Sequence, residues 1–122
     1  MKVRCVRFLD TQRNSGWLRL GDVYDVLCLS VSSRGEVTFR LLGIERDTPA
    51  LFEAAMFETV DSSIPPNWVV RVPERGGVDL EPARWLVDGF WQDFFDGVPE
   101  AEQIFDEELA IISGEAPNRP RE

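Results

Sequence analysis

Apolar and polar residues alternate in short runs over the first two-thirds of the chain, a pattern typical of β-strands. Residues 2–9 form a short β-branched and apolar run, and residues 23–32 are apolar on both alternating faces, which predicts a central strand. Residues 37–41 carry apolar side chains at every second position, which predicts a strand with one solvent-facing side. Because only a short link containing Gly35 separates the last two runs, we expect them to pair as a hairpin.

Two further segments complete the predicted β-rich part. Residues 50–60 combine helix-favouring alanine and glutamate with strand-favouring aromatic and β-branched residues, and we interpret them as a turn followed by a short strand. Residues 50–56 themselves stay open between helix and strand. After two prolines, residues 68–72 resume an extended run that ends at Pro73.

The apolar spacing becomes helical after Gly76 and Gly77, which predicts two helices. Residues 83–95 place large apolar side chains on one broad face, with Pro82 as a first-turn residue. Residues 96–99 are expected to end this helix and to begin the second one. The apolar stripes comprise Val87, Phe90, Trp91, Phe94 and Phe95 in the first helix, and Ala101, Ile104, Phe105, Leu109 and Ile112 in the second.

These elements predict an α+β fold: a small SH3-like, partly open β-barrel followed by two C-terminal amphipathic helices. The barrel would occupy residues 1–75, with a long loop at 10–21, and the helical extension residues 79–113. A chain of 122 residues that is 43% hydrophobic is large and apolar enough for one core, so we expect a single domain over residues 1–113. Residues 114–122 carry two prolines and no large apolar side chain, which predicts a mobile tail.

Net charge is concentrated in the C-terminal third. Residues 1–78 hold ten Lys or Arg and ten Asp or Glu, whereas residues 79–122 hold three and twelve, so the whole net charge of −9 lies in the last 44 residues. Such a field either keeps a small protein in solution or steers it toward a basic partner. Direct nucleic-acid binding is disfavoured, because the basic residues are scattered singly among acids rather than clustered for phosphate contact.

The composition offers little support for catalysis. The chain contains no histidine, which removes the commonest general base at neutral pH, and its only lysine is Lys2. Cys5 and Cys28 lie in predicted strands without C-x-x-C spacing, so we expect buried free thiols, while a disulfide stays open if the two strands are neighbours. We therefore predict no enzymatic activity, no cofactor and no metal site.

The hydropathy of the chain argues against membrane contact. No stretch approaches the roughly 18 consecutive apolar residues of a membrane span, and the first ten residues lack the apolar run of a secretory signal. The expected location is the cytoplasm.

The aromatic residues of the C-terminal third are expected to divide between core and surface. Phe90, Trp91, Phe94 and Phe95 share one helix face, so their predicted role is core packing. Trp85 points partly elsewhere, so Trp85, and Trp17 in the long loop, are the better candidates for an exposed anchor, since tryptophan is enriched at interface hot spots. For Trp17 the alternative role is to anchor the loop against the barrel.

The order of several short motifs resembles that of small immunity proteins from bacterial polymorphic-toxin and contact-dependent growth inhibition systems. The motifs are LGDVYDVL at residues 20–27, MFETVD at 56–61, WVVRV at 68–72, and GFWQDFFDG at 89–97 followed by PEAEQIFDEEL at 99–109. The resemblance implies a protein that binds one cognate toxin domain and blocks it without catalysis or cofactor. Because such toxins are often nucleases with basic clefts, it also implies that an acidic surface is the inhibitory face.

Two hypotheses about function follow. The first is an immunity protein, monomeric when free, whose acidic helices occlude a basic, nuclease-like active site. Its predicted partner-binding residues are Trp85, Asp88, Gln92, Asp93, Asp96, Glu100 and Glu107. The alternative is an SH3-like adaptor or regulator that binds a peptide through aromatic loop residues, namely Trp17, Tyr24 and Trp68.

Overall fold

Eight β-strands and two α-helices make up the described part of the chain, which covers residues 1–9, 16–44 and 48–114 of a computed structural model. The strands are β1 (Lys2–Cys5), β2 (Val23–Asp25), β3 (Cys28–Val31), β4 (Val37–Leu42), β5 (Pro49–Glu53), β6 (Phe57–Asp61), β7 (Trp68–Arg71) and β8 (Val78–Pro82). The helices are α1 (Phe90–Phe95) and α2 (Pro99–Ser113). The strands form a three-stranded sheet in the order β2-β1-β6 and a five-stranded sheet in the order β5-β4-β3-β8-β7. The predicted α+β class is confirmed.

The two sheets are joined inside the segment that the sequence pattern presented as one central strand. Strand β2 pairs with β1, whereas β3 pairs with β4 and β8. Val26 and Leu27 lie between β2 and β3 and are buried, so the chain passes from one sheet to the other through the core. This crossing explains why residues 23–32 are apolar on both faces. It also places the described strands in two open antiparallel sheets and not in a closed barrel.

The predicted hairpin is confirmed, and the segment that was open between helix and strand contains both kinds of structure. Leu29 lies opposite Phe39 in the β3–β4 pair, with a tight turn between the strands. Strand β5 comes first in the open segment, a single 3-10 turn follows at Ala54–Met56, and β6 begins directly after it. The 3-10 turn lets the chain leave the five-stranded sheet and enter the three-stranded one.

The first helix is shorter than its apolar pattern predicted. Residues 78–82 form β8 between β3 and β7, and a 3-10 turn follows at Ala83–Trp85, so α1 contains only Phe90–Phe95. Gly89, at a φ of 83°, takes a backbone conformation that stops the preceding residues from continuing the helix. The second helix begins with Pro99 at its first turn, as predicted, and ends at Gly114.

Buried side chains from both sheets and both helices form one hydrophobic cluster. Cys5 and Cys28 are both buried and free, so the disulfide that the sequence left open is not formed. Residues 115–122 of the predicted tail and residues 10–15 of the predicted loop lie outside the described residues. Among the described helices, none is long and apolar enough to cross a membrane.

Gly77 fixes the turn between β7 and β8 against the β3–β4 hairpin. Its φ is 86°, and a Cβ added there would overlap the carbonyl oxygen of Val31. We expect Gly77→Ala to lower the free energy of unfolding by about 3 kcal/mol, because backbone strain and steric overlap act together. Urea unfolding followed by tryptophan fluorescence measures the change.

Gly35 provides the matched control for that substitution. It has nearly the same φ, 85°, but a Cβ there would meet no atom of residues 1–9, 16–44 or 48–114 within 4 Å. Gly35→Ala should therefore cost only about 1 kcal/mol, the price of the backbone conformation alone. Equal losses in the two variants would show that the contact with Val31 does not matter.

Candidate protein-interaction site

A stack of aromatic rings holds the two helices against the body of the protein. The Trp85 ring lies nearly parallel to Phe90 of α1, with centroids 6.3 Å apart, and to Phe105 of α2, with centroids 5.1 Å apart. Trp91 approaches Trp85 edge-on at 5.4 Å. Trp85 is only 1% exposed. The prediction that Trp85 is an exposed anchor is therefore wrong: β8 and the following 3-10 turn direct its side chain into the core.

Three of the predicted acidic residues come together where the helices meet. Asp88 precedes α1, Asp93 lies on α1, and Glu100 lies in the first turn of α2. Together they line a groove of about 300 Å³ whose apolar lining is Phe90, Val98, Ala101 and Ile104. Val87, 65% exposed, adds an apolar rim. We call this feature, with its three carboxylates and its apolar lining, the acidic groove.

Of the described residues, Arg84 is the one basic residue that lines the acidic groove, and its charge is already engaged. Its guanidinium donates to Glu107 Oε1 at 2.8 Å and to Glu108 Oε2 at 3.1 Å, which raises the pKa of Arg84. The same contact with Arg84 lowers the pKa of Glu107. Glu107, one of the predicted partner-binding residues, therefore serves as an internal ion-pair partner.

The carboxylates of the acidic groove remain free for an external cation. Within residues 1–9, 16–44 and 48–114, the side chains of Asp88, Asp93 and Glu100 make no hydrogen bond or ion pair. Because exposed carboxylates of like sign repel one another at short range, a cation placed between them is favoured. The groove thus combines negative charge with apolar contact area.

Gln92 and Asp96, the other predicted residues of the first helix, lie outside the acidic groove. Gln92 Nε2 donates to both carboxylate oxygens of Asp96 at 3.0 Å, so the two side chains are paired with each other on the helix surface. Gln92 also lines an adjoining depression of about 340 Å³ that includes Trp85 and Trp91 and shares Asp88 with the acidic groove. These two residues form a neighbouring surface, not part of the same site.

The aromatic residues of the alternative hypothesis do not form an exposed groove. Tyr24 and Trp68 are both buried, and the Tyr24 hydroxyl accepts a hydrogen bond from the Arg19 backbone N–H at 2.8 Å. Trp17 is 39% exposed and packs edge-on against Phe52, with centroids 6.5 Å apart. Burial of two of the three rings corrects the expectation that they share one peptide-binding surface.

Comparison of the chain with protein-family models, with curated proteins and with solved structures finds no match.

The sequence pattern did not single out a buried polar network beneath α1. Glu81 on β8 accepts a hydrogen bond from the Cys28 thiol, with sulfur and oxygen 3.7 Å apart. The Arg40 guanidinium lies 4.0 Å from the centre of the Trp91 ring, a cation–π contact between β4 and α1. Only the alternation of Asp79 and Glu81 along a short strand hinted at it, since both then face the same side of the sheet.

The network perturbs two titrating groups. Burial raises the pKa of Glu81, and the Arg40 charge and the Trp91 indole only partly offset this effect. Burial raises the pKa of the Cys28 thiol well above its usual range, and the nearby Glu81 carboxylate adds to the shift. Cys28 is therefore an unreactive thiol at neutral pH.

The raised pKa of Glu81 predicts a specific pH dependence of stability. Since the folded state binds this proton more tightly than the unfolded state, ionisation of Glu81 lowers the free energy of unfolding as pH rises from its ordinary pKa of 4.5 through the raised value. Glu81→Gln removes the ionisable group and with it this pH-dependent loss of stability. The stability of the variant relative to the unsubstituted protein should therefore increase over this pH range, as measured by urea unfolding at successive pH values.

Glu107→Gln is the control of opposite sign. Arg84 lowers the pKa of Glu107, so the unsubstituted protein loses this contribution as pH falls, and the relative stability of Glu107→Gln should increase toward acid. If the free energies of unfolding of Glu81→Gln and of the unsubstituted protein differ by the same amount at every pH, ionisation of Glu81 does not affect stability.

Proposed function

We propose that this protein is an immunity protein that binds a cognate bacterial toxin domain and blocks it through the acidic groove. The supporting observation is that Asp88, Asp93 and Glu100, without side-chain partners in the described residues, surround an apolar lining. A toxin with a basic, nuclease-like active site is the partner that this surface complements. The inhibitor would act by occupying the toxin site, not by chemistry of its own.

A lysine or arginine side chain of the partner matches the construction of the groove. Such side chains lay their aliphatic stem along apolar surface while the charged head contacts polar groups. The stem would lie against Phe90 and Ile104, and the head would reach the carboxylates of Asp93 and Glu100. Because a basic side chain in contact with two carboxylates is no longer available to contact nucleic acid, the toxin would bind its substrate more weakly.

The charge distribution supports rapid encounter with such a partner. The net charge of −9 is carried by residues 79–122, and the body of the protein is neutral. A one-sided field of this kind orients an approaching basic protein toward the helices and raises the association rate. Fast association is advantageous for an inhibitor that must bind a toxin before the toxin finds its substrate.

We further propose that the protein resides in the cytoplasm and is a monomer when free. It would be non-catalytic, without cofactor, and without direct contact to nucleic acid or membrane. We also keep the SH3-like description of residues 1–75 as part of the proposal. The meander β3-β4-β5 at one side of the five-stranded sheet supports it. The adaptor hypothesis has less support, because Tyr24 and Trp68 are buried.

The proposal predicts that neutralising the acidic groove weakens toxin binding. The triple substitution Asp88→Asn, Asp93→Asn, Glu100→Gln should lower the association rate with the toxin domain encoded beside this gene by about tenfold at low ionic strength. Surface plasmon resonance measures the rate, and growth of cells expressing the toxin measures protection. The variant should protect poorly, while the unsubstituted protein restores growth.

A control with the same change in net charge separates the groove from the general field. Glu74→Gln, Glu102→Gln, Asp106→Asn removes three exposed acids that do not line the groove. This control should retain most of the association rate and full protection. If both triples weaken binding equally, total charge and not the groove recognises the partner. If the adjacent gene encodes no toxin domain, the immunity function itself fails.

A further inference from the structure

Besides the acidic groove, the structure has a polar pocket on the five-stranded sheet. It lies on the face opposite the one that carries Leu29 and Phe39 into the core. Alternate residues of β3, β4 and β8 point to this face, and Trp91 of α1 covers part of it through its contact with Arg40. The uncovered part is a pocket of about 310 Å³. Pockets that hold small molecules begin at about this size, near 300 Å³.

The floor of the pocket is made of hydrogen-bonding side chains on paired strands. Ser30 lies opposite Thr38 on β4 and opposite Asp79 on β8, so the two hydroxyls and one carboxylate are neighbours across three strands. Cys28 and Glu81 lie deeper and are buried. Because strand register fixes the backbone positions that carry these side chains, the backbone of the floor is preformed.

The walls are two turns held close together. One is the β3–β4 turn, and the other joins β7 to β8 and includes Pro73, Arg75 and Gly76. Gly77 packs directly on the Val31 carbonyl, a distance that no larger residue tolerates. This close approach holds the backbones of the two turns together, so a ligand would not have to order the backbone of the walls on binding.

The charges of the pocket divide into satisfied and unsatisfied groups. Arg40 is engaged with Trp91 and with the Glu81 charge, and Asp79 accepts from Arg71 at 2.9 Å. Arg75 and Glu36, one on each turn, have no side-chain partner in the described part of the chain. The two free charges are of opposite sign and lie on opposing walls.

We propose that this pocket binds a small zwitterion of the free amino acid class. The ligand carboxylate would contact the Arg75 guanidinium, its ammonium group would contact Glu36, and the hydroxyls of Ser30 and Thr38 would hydrogen-bond polar atoms between them. A simple anion would leave Glu36 uncompensated, and a simple cation would leave Arg75 uncompensated. The inference is independent of the toxin-binding function, since the acidic groove shares none of these residues.

The test is a titration of the full chain, followed by two-dimensional amide NMR, with L-serine and L-glutamine as probes. Saturable shifts confined to residues 30–38 and 75–81 are expected, with Kd about 1 mM, as suits contacts made largely by exposed charges. L-lactate lacks the ammonium group and ethanolamine lacks the carboxylate, so each should bind at least about tenfold more weakly. Glycerol, which carries no charge, should produce no saturable shift.

Matched variants test the assigned contacts. Arg75→Gln and Glu36→Gln should each weaken L-serine binding by about fivefold or more, while Arg34→Gln and Glu74→Gln, at neighbouring positions that do not line the pocket, should leave it unchanged. Thr38→Val removes one hydroxyl of the floor without altering charge and should also weaken L-serine binding, so unchanged binding would overturn the hydroxyl contact. Equal binding of lactate and serine would overturn the zwitterion in favour of a simple anion, and equal binding of glycerol would overturn charge recognition. Absence of shifts in the unsubstituted, folded protein would overturn the site.

Discussion

The placement of the helices depends on Trp85 being enclosed between Phe90 and Phe105. The ring joins three elements that are separate along the chain: the 3-10 turn after β8, the short helix α1, and the long helix α2. A helix of six residues has little stability of its own, so α1 exists because its aromatic face is buried in this stack. The acidic residues on the outer surface of the helices therefore take their positions from an apolar contact underneath them.

Polar contacts complement this stack at its two ends. Glu108 on α2 is buried and accepts hydrogen bonds from Arg84 at 3.1 Å and from Asn67 at 2.9 Å, which ties the long helix to the segment before β7. Beneath α1, Arg40 and Glu81 meet Trp91 from the sheet side. A buried carboxylate is costly unless its partners are present, so these contacts favour one orientation of the helices over others.

The sequence was informative where one periodicity governed a segment. Strand β4, the hairpin with β3, and helix α2 follow directly from alternating or helical spacing and from Pro99 and Gly114. Prediction failed where long-range packing overrode a local pattern. Residues 23–32 looked like one strand because both faces are buried, yet the burial comes from a passage between sheets. Trp85 looked exposed because a continuous helix was assumed through Gly89, and strand pairing of β8 shows that the helix begins later.

For the candidate site, the concentration of acids could be predicted from the sequence. The ion pair between Arg84 and Glu107, and the meeting of Asp88 with Glu100 in one groove, could not, because they depend on how the helices pack.

The passage through Val26 and Leu27 has a consequence for how the molecule tolerates change. The Val26 amide bonds to the Met1 carbonyl and the Leu27 amide to the Arg40 carbonyl, so two consecutive residues are each held by a different neighbouring segment. Unfolding of either sheet would break contacts of the other, so unfolding is expected to be cooperative across both sheets. Because of this coupling, amino-acid substitutions are best tolerated on surfaces that do not pack against Val26 and Leu27. The outer faces of α1 and α2 are such surfaces, so substitutions there are expected to change what the protein contacts with little effect on the stability of its interior.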